Sequence, residues 1–136
     1  MIPSNELRIG NYFLLNNQLC QVSMVQDSKD GDGTHAVGYR GNGAEAMETC
    51  HSAQLQPVPM TDDVLQQAGF RYHTYFRFWQ KVGTAPGELS EMDIDPDYNV
   101  LDFMRRPVVK KLSSLHQLQN VYFFLKGEEL GLEPAK

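Results

Sequence analysis

Hydrophobic and polar positions change their period three times along this chain. Up to about residue 60 the pattern is that of short strands. Leu7, Ile9, Asn11, Phe13 and Leu15 alternate with Arg8, Gly10, Tyr12 and Leu14, the two-residue period of an extended chain. Asn16-Asn17 follows, a pair that tolerates the positive φ angles of a tight hairpin turn. A second strand is predicted from Leu19 to Val25, with Cys20, Val22 and Met24 on one face. Shorter strands are predicted near His35–Tyr39, Ala44–Thr49 and Ala53–Val58, with Gly41-Asn42-Gly43 as a turn. Five short strands in this span predict a small, strongly bent barrel of the SH3-like type over residues 1–59.

Pro57 and Pro59 close that region, and Thr61 is placed to cap a short helix. Asp62 and Asp63 lie at its positive end and Gly69 at its stop. Phe70–Val82 is dense in aromatic and β-branched residues and is predicted as one strand. Glu88–Asp95 and Tyr98–Met104 complete a predicted three-stranded antiparallel meander. Leu115, Leu118, Tyr122 and Leu125 then form a helical stripe. Ser114 and Gln117 have the spacing of a capping box, and Gly127 sits where a left-handed stop is wanted. Residues 60–136 are therefore expected to fold as an α-β-β-β-α region, giving an α+β protein. Phe123 and Phe124 widen the apolar face of the last helix and are expected in the core, burial against a partner being the alternative.

Three segments resemble a large set of small uncharacterised proteins encoded in Bacteroidota genomes, prophages and mobile elements. They are Leu7-Arg8-Ile9-Gly10-Asn11-Tyr12, Pro57–Thr61 running on to Gly69-Phe70, and Leu115-His116-Gln117-Leu118-Gln119-Asn120-Val121-Tyr122-Phe123 with Gly127-Glu128-Glu129-Leu130. The family usually carries an acidic residue at the position of Gln117. The resemblance implies a genomic setting and assigns no catalytic residue.

Composition narrows the chemistry. The 136 residues carry a formal net charge of −5, which disfavours general affinity for nucleic acid. Neither an N-terminal apolar run nor a membrane-length apolar stretch is present in the sequence, so a cytoplasmic protein away from membranes is expected. Cys20 and Cys50 are too few for a disulfide framework and are expected to be reduced.

Two surfaces stand out. If Phe70–Val82 is one strand, then Arg71, His73, Tyr75, Arg77, Trp79 and Lys81 share a face. Alternating rings and cations would suit single-stranded nucleic acid; a solvated sheet face is the plainer explanation. Arg105, Arg106, Lys110 and Lys111 form a second basic cluster. The other surface is the acidic row Glu88, Glu91, Asp93, Asp95 and Asp97, with no basic residue among them. It could meet a basic groove on a protein partner, or serve as a solubilising edge.

Metal and catalytic chemistry find little support. Asp27–Gly33 has the composition of a calcium loop without the required Glu at its twelfth position. Cys20, His35, Cys50 and His51 lack the close spacing of zinc sites. His116 has no Ser, Cys or carboxylate at helical spacing, and a structural hydrogen-bonding role is expected for it. The expectation is a non-enzymatic interaction protein of phage or mobile-element type without cofactor or metal. It would bind a host or element-encoded protein, an inhibitor of a host defence system being one such role. The alternative is a nucleic-acid-binding accessory module.

Overall fold

The computed structural model describes residues 6–27, 35–41, 46–81, 92–102, 104 and 106–132. The fold is α+β, with two antiparallel sheets and two α-helices among these residues. The chain divides into two compact units. One comprises Met1–Pro59 with Ser114–Asn120, and the other Met60–Ser113 with Val121–Lys136.

The first unit is built on a four-stranded meander, β1 (Tyr12–Leu15), β2 (Gln18–Asp27), β3 (His35–Gly41) and β4 (Glu48–His51), paired in that order. The expected first strand is shorter than its alternation suggests. Gly10 takes φ +98° and Asn11 N donates to Arg8 O at 3.0 Å, so residues 8–11 turn before pairing begins. The Asn16-Asn17 turn has both residues at positive φ, 51° and 63°, as the two-residue hairpin requires. After β4, a single 3₁₀ turn at Ser52–Gln54 takes the start of the expected fifth strand, and no strand forms over the rest of it. Gln56 then makes an isolated antiparallel bridge back to Leu14 of β1. The described residues of this unit thus form four strands and two isolated bridges, the second between Pro59 and Ser114, without a closed barrel. Phe13, Cys20, Val22, Val37 and Leu55 are the buried core of this unit.

The second unit opens with α1 (Asp62–Gln67), capped as expected. Thr61 Oγ1 accepts from Val64 N at 3.2 Å, and Gly69 follows the helix at φ +92°. Its sheet has five strands rather than three: β5 (Phe70–His73), β6 (Phe78–Lys81), β7 (Met92–Ile94), β8 (Val100–Leu101) and β9 (Pro107–Val109). One additional strand arises because Phe70–Lys81 is a hairpin. The other is β9, whose Pro107 reads as an interruption in sequence. At the start of an edge strand a proline is tolerated, because no ladder bond from its nitrogen is needed there.

The last helix, α2 (Leu115–Lys126), ends as expected, with Gly127 at φ +70° and its N–H donating to Phe123 O at 2.8 Å. Leu115, Leu118 and Tyr122 of the stripe are buried. Phe123, Phe124 and Leu125 are not core residues, contrary to expectation, and Phe124 is 87% exposed. They occupy the last turn, beyond the reach of the buried stripe.

Candidate functional site

The aromatic segment changes most between sequence and structure. The register Phe70↔Lys81, Arg71↔Gln80, Tyr72↔Trp79 and His73↔Phe78 makes it a hairpin with a four-residue loop, Thr74–Arg77. Arg77 closes the loop at φ +58°, and its N–H donates to His73 O at 2.7 Å. The six residues expected on one face are therefore divided. Arg71 and His73 share one face of the hairpin, Trp79 and Lys81 the other, and Tyr75 and Arg77 belong to the loop. Trp79 is only 4% exposed, so it offers no ring face to a base.

The hairpin tip presents a different surface. Phe76 N donates to His73 Nδ1 at 3.3 Å, which folds the loop back over the strand. Phe76 then lies over His73 and Phe78, with ring centroids 4.9 and 6.0 Å away. Tyr75 stands edge-on to Phe76 at 4.9 Å and 86°. Phe78 is buried beneath this cluster, while Phe76 is 48% and Tyr75 82% exposed. Arg77, next in the loop, and Arg71, further down β5 opposite Gln80, are exposed, and no Asp or Glu occurs from residue 70 to 81.

The acidic row is not assembled as expected among the described residues. Glu88 and Glu91 lie outside them. Asp93 is half-buried in β7, paired with Gln80 and Leu101. Asp95 is consumed by the β7–β8 turn. Its Oδ1 accepts from Asp97 N and Asn99 N, both at 3.0 Å, and its Oδ2 from Asn99 Nδ2 at 2.8 Å. Asp97 alone of the three is exposed. Of the second basic cluster, Arg105 lies outside the described residues, and Arg106 pairs with Asp102 at 3.5 Å.

His116 has partners that sequence spacing does not reveal. Its Nδ1 is 3.0 Å from Ser114 Oγ, and its Nε2 is 2.8 Å from Glu6 Oε1. Ser, His and a carboxylate in series have the composition of a nucleophilic triad. Burial argues against that role: Ser114 and His116 are each 2% exposed, and a nucleophile must reach its substrate.

These groups belong to a larger lock between Glu6–Tyr12 and the first turns of α2. Gln119 accepts from Tyr12 N at 2.8 Å and donates to Gly10 O at 2.9 Å, so its amide acts as a missing strand neighbour. Asn120 donates to Glu6 O at 2.7 Å and accepts from Asn11 Nδ2 at 2.8 Å and Arg8 Nε at 3.1 Å. Gln117 reaches Glu6 Oε1 at 3.4 Å. Asn11 and Gln119 are fully buried, and every polar group placed there needs such a partner. Two of the three segments that carry the family resemblance are thus the two sides of one hydrogen-bonded lock.

The first unit also holds a cavity of about 690 Å³, bordered by the β1–β2 turn and by β3 and β4. Tyr39 and Glu48 meet on its wall, with Tyr39 Oη donating to Glu48 Oε2 at 3.0 Å. That bond to Glu48, with burial adding to it, raises the Tyr39 phenol above its ordinary value. Burial raises both thiols, Cys20 with a further push from Glu48 and Cys50 from Cys20. Both cysteines are free. Among the described residues, no three His, Cys, Asp or Glu gather as a metal site, and no helix is long and apolar enough to cross a membrane.

No protein-family model, curated protein or solved structure matches the chain.

Proposed function

We propose that this chain is a non-catalytic interaction protein whose β5–β6 hairpin tip inserts into a protein partner. The observation that carries the reading is the pair Tyr75 and Phe76, exposed at the end of a paired hairpin, with Arg77 next in the loop and Arg71 exposed further down β5. Tyrosine and arginine are frequent anchors of binding energy at interfaces, and rings on a braced loop lose little entropy on docking. The Ser114–His116–Glu6 series supports a non-catalytic reading because its hydrogen bonds serve the lock.

The ring geometry favours a protein over nucleic acid. Successive bases need parallel faces, and the two most exposed tip rings stand at 86° to each other. An edge-on pair fills a compact apolar pocket instead. The nucleic-acid reading keeps one supporting observation, the absence of any acidic residue from 70 to 81 beside Arg71 and Arg77. The family resemblance suggests a phage or mobile-element setting, and for a small acidic protein in that setting inhibition of a host defence system is one role.

The test is co-precipitation from host lysate with wild-type protein and with Tyr75→Ala/Phe76→Ala. A partner retained by wild type and reduced about thirtyfold in affinity by the double variant is the expected result. Equal recovery by both proteins would contradict the assignment. Salt-sensitive binding of an oligothymidylate at low ionic strength, lost in the same variant, would favour the alternative.

A further inference from the structure

The cavity in the first unit has chemistry that the hairpin does not use. The strand registers place Tyr39 opposite Val22 and Glu48 opposite Tyr39, so Glu48 lies on the face of the sheet that carries the buried core. Glu48 is itself exposed there. It borders a space of about 690 Å³ whose walls include Leu15, Leu19 and Cys20. That volume lies within the range of small-molecule sites, roughly 300–1,000 Å³. Glu48 is the one formally charged residue among the described residues that line it.

Tyr39 is held on two sides. Its ring stands edge-on to Phe13 at 5.8 Å and 79°, and its hydroxyl donates to Glu48 Oε2. This orients the carboxylate, and the acceptor capacity of Oε1 stays available for an incoming N–H. The ring beside it adds attraction for a cation. An anion would meet an uncompensated carboxylate at the same place.

We propose that this cavity binds a small organic cation, an amine carried on a compact apolar body, with its ammonium group on Glu48 and its body against Leu15, Leu19 and Cys20. The site is separate from the hairpin and stands or falls independently of the protein-binding reading.

The experiment is an amide-resolved NMR titration of the full chain with phenethylamine and, in parallel, with 3-phenylpropionate. Phenethylamine should give saturable shifts at Cys20, Tyr39, Gly41 and Glu48, and the carboxylate analogue should bind at least about tenfold more weakly. Glu48→Gln, a near-isosteric change at an exposed position, should lower amine affinity about tenfold or more with the remaining spectrum intact. Tyr39→Phe should weaken it less, because the ring stays. Absence of saturable shifts, equal binding of the two probes, or unchanged affinity in Glu48→Gln would overturn the proposal.

Discussion

Replacing Gln119 with alanine tests the lock between the N-terminal segment and α2. Its amide is fully buried and satisfies two backbone groups, Tyr12 N at 2.8 Å and Gly10 O at 2.9 Å. Truncation removes both bonds at once: Tyr12 N loses its acceptor, while Gly10 O keeps the bond from Gln21 Nε2 at 3.2 Å. Each such group costs about 1–3 kcal/mol when buried. Tyr12 is half-buried, so water offsets part of its cost, and with one group orphaned and one bond lost the expected destabilisation is about 1–3 kcal/mol. Against a total stability of about 5–15 kcal/mol that is a large fraction. Gln119→Glu should be at least as damaging, because the carboxylate keeps the acceptor, loses the donor and brings a charge into the interior. Urea denaturation measures the loss, and hydrogen exchange at the Tyr12 amide locates it. A loss below about 0.5 kcal/mol, with Tyr12 still protected, would refute the assignment of Gln119 as the strand-like partner.

Arg77→Gly should stabilise the hairpin by up to about 1 kcal/mol, because Arg77 sits at φ +58° where glycine is unstrained; thermal denaturation of the variant checks this. Gly69→Ala should destabilise by about 1–2 kcal/mol on backbone grounds alone, since its φ is +92°. The added Cβ would also lie 2.7 Å from Lys81 Nζ, and urea denaturation should show the loss. On the alkaline side, Cys20, Cys50, Tyr39 and Tyr98 all have raised values. The folded state therefore binds more protons than the unfolded state once pH exceeds the ordinary thiol value of 9.0. Their contribution is complete below that pH and is lost as pH rises through the folded values. Stability followed by urea titration should fall above about pH 9, and less steeply in Cys20→Ser/Cys50→Ser.

Much of the local structure was legible because its signals are local. Thr61 with Asp62 and Asp63, the Asn16-Asn17 turn and the Gly127 stop each state their conformation within a few residues. The hairpin at 70–81 was not legible. Its loop has Arg77 in the left-handed position usually given to Gly or Asn, and the flanking aromatics keep a strand-like alternation across it. β9 was hidden by Pro107, which marks an edge as readily as a break. The partners of His116 were out of reach for another reason. Glu6 is 110 residues away, and only the fold brings it near. Two of the three segments that carry the resemblance were the one trace of that lock in the sequence, and their spacing did not say that they touch. The division of the Arg71–Lys81 face follows directly from the missed turn, since reversing the chain at Thr74–Arg77 sends Trp79 inward.

The central claim is that binding is carried by the hairpin tip. A photoreactive phenylalanine analogue placed at position 75, and in parallel at position 97 in the acidic row, tests it most directly. After irradiation in host lysate, a discrete adduct should form from position 75, diminish in Arg71→Ala/Arg77→Ala, and be absent from position 97. A discrete adduct from position 97 alone, or none from position 75, would contradict the account.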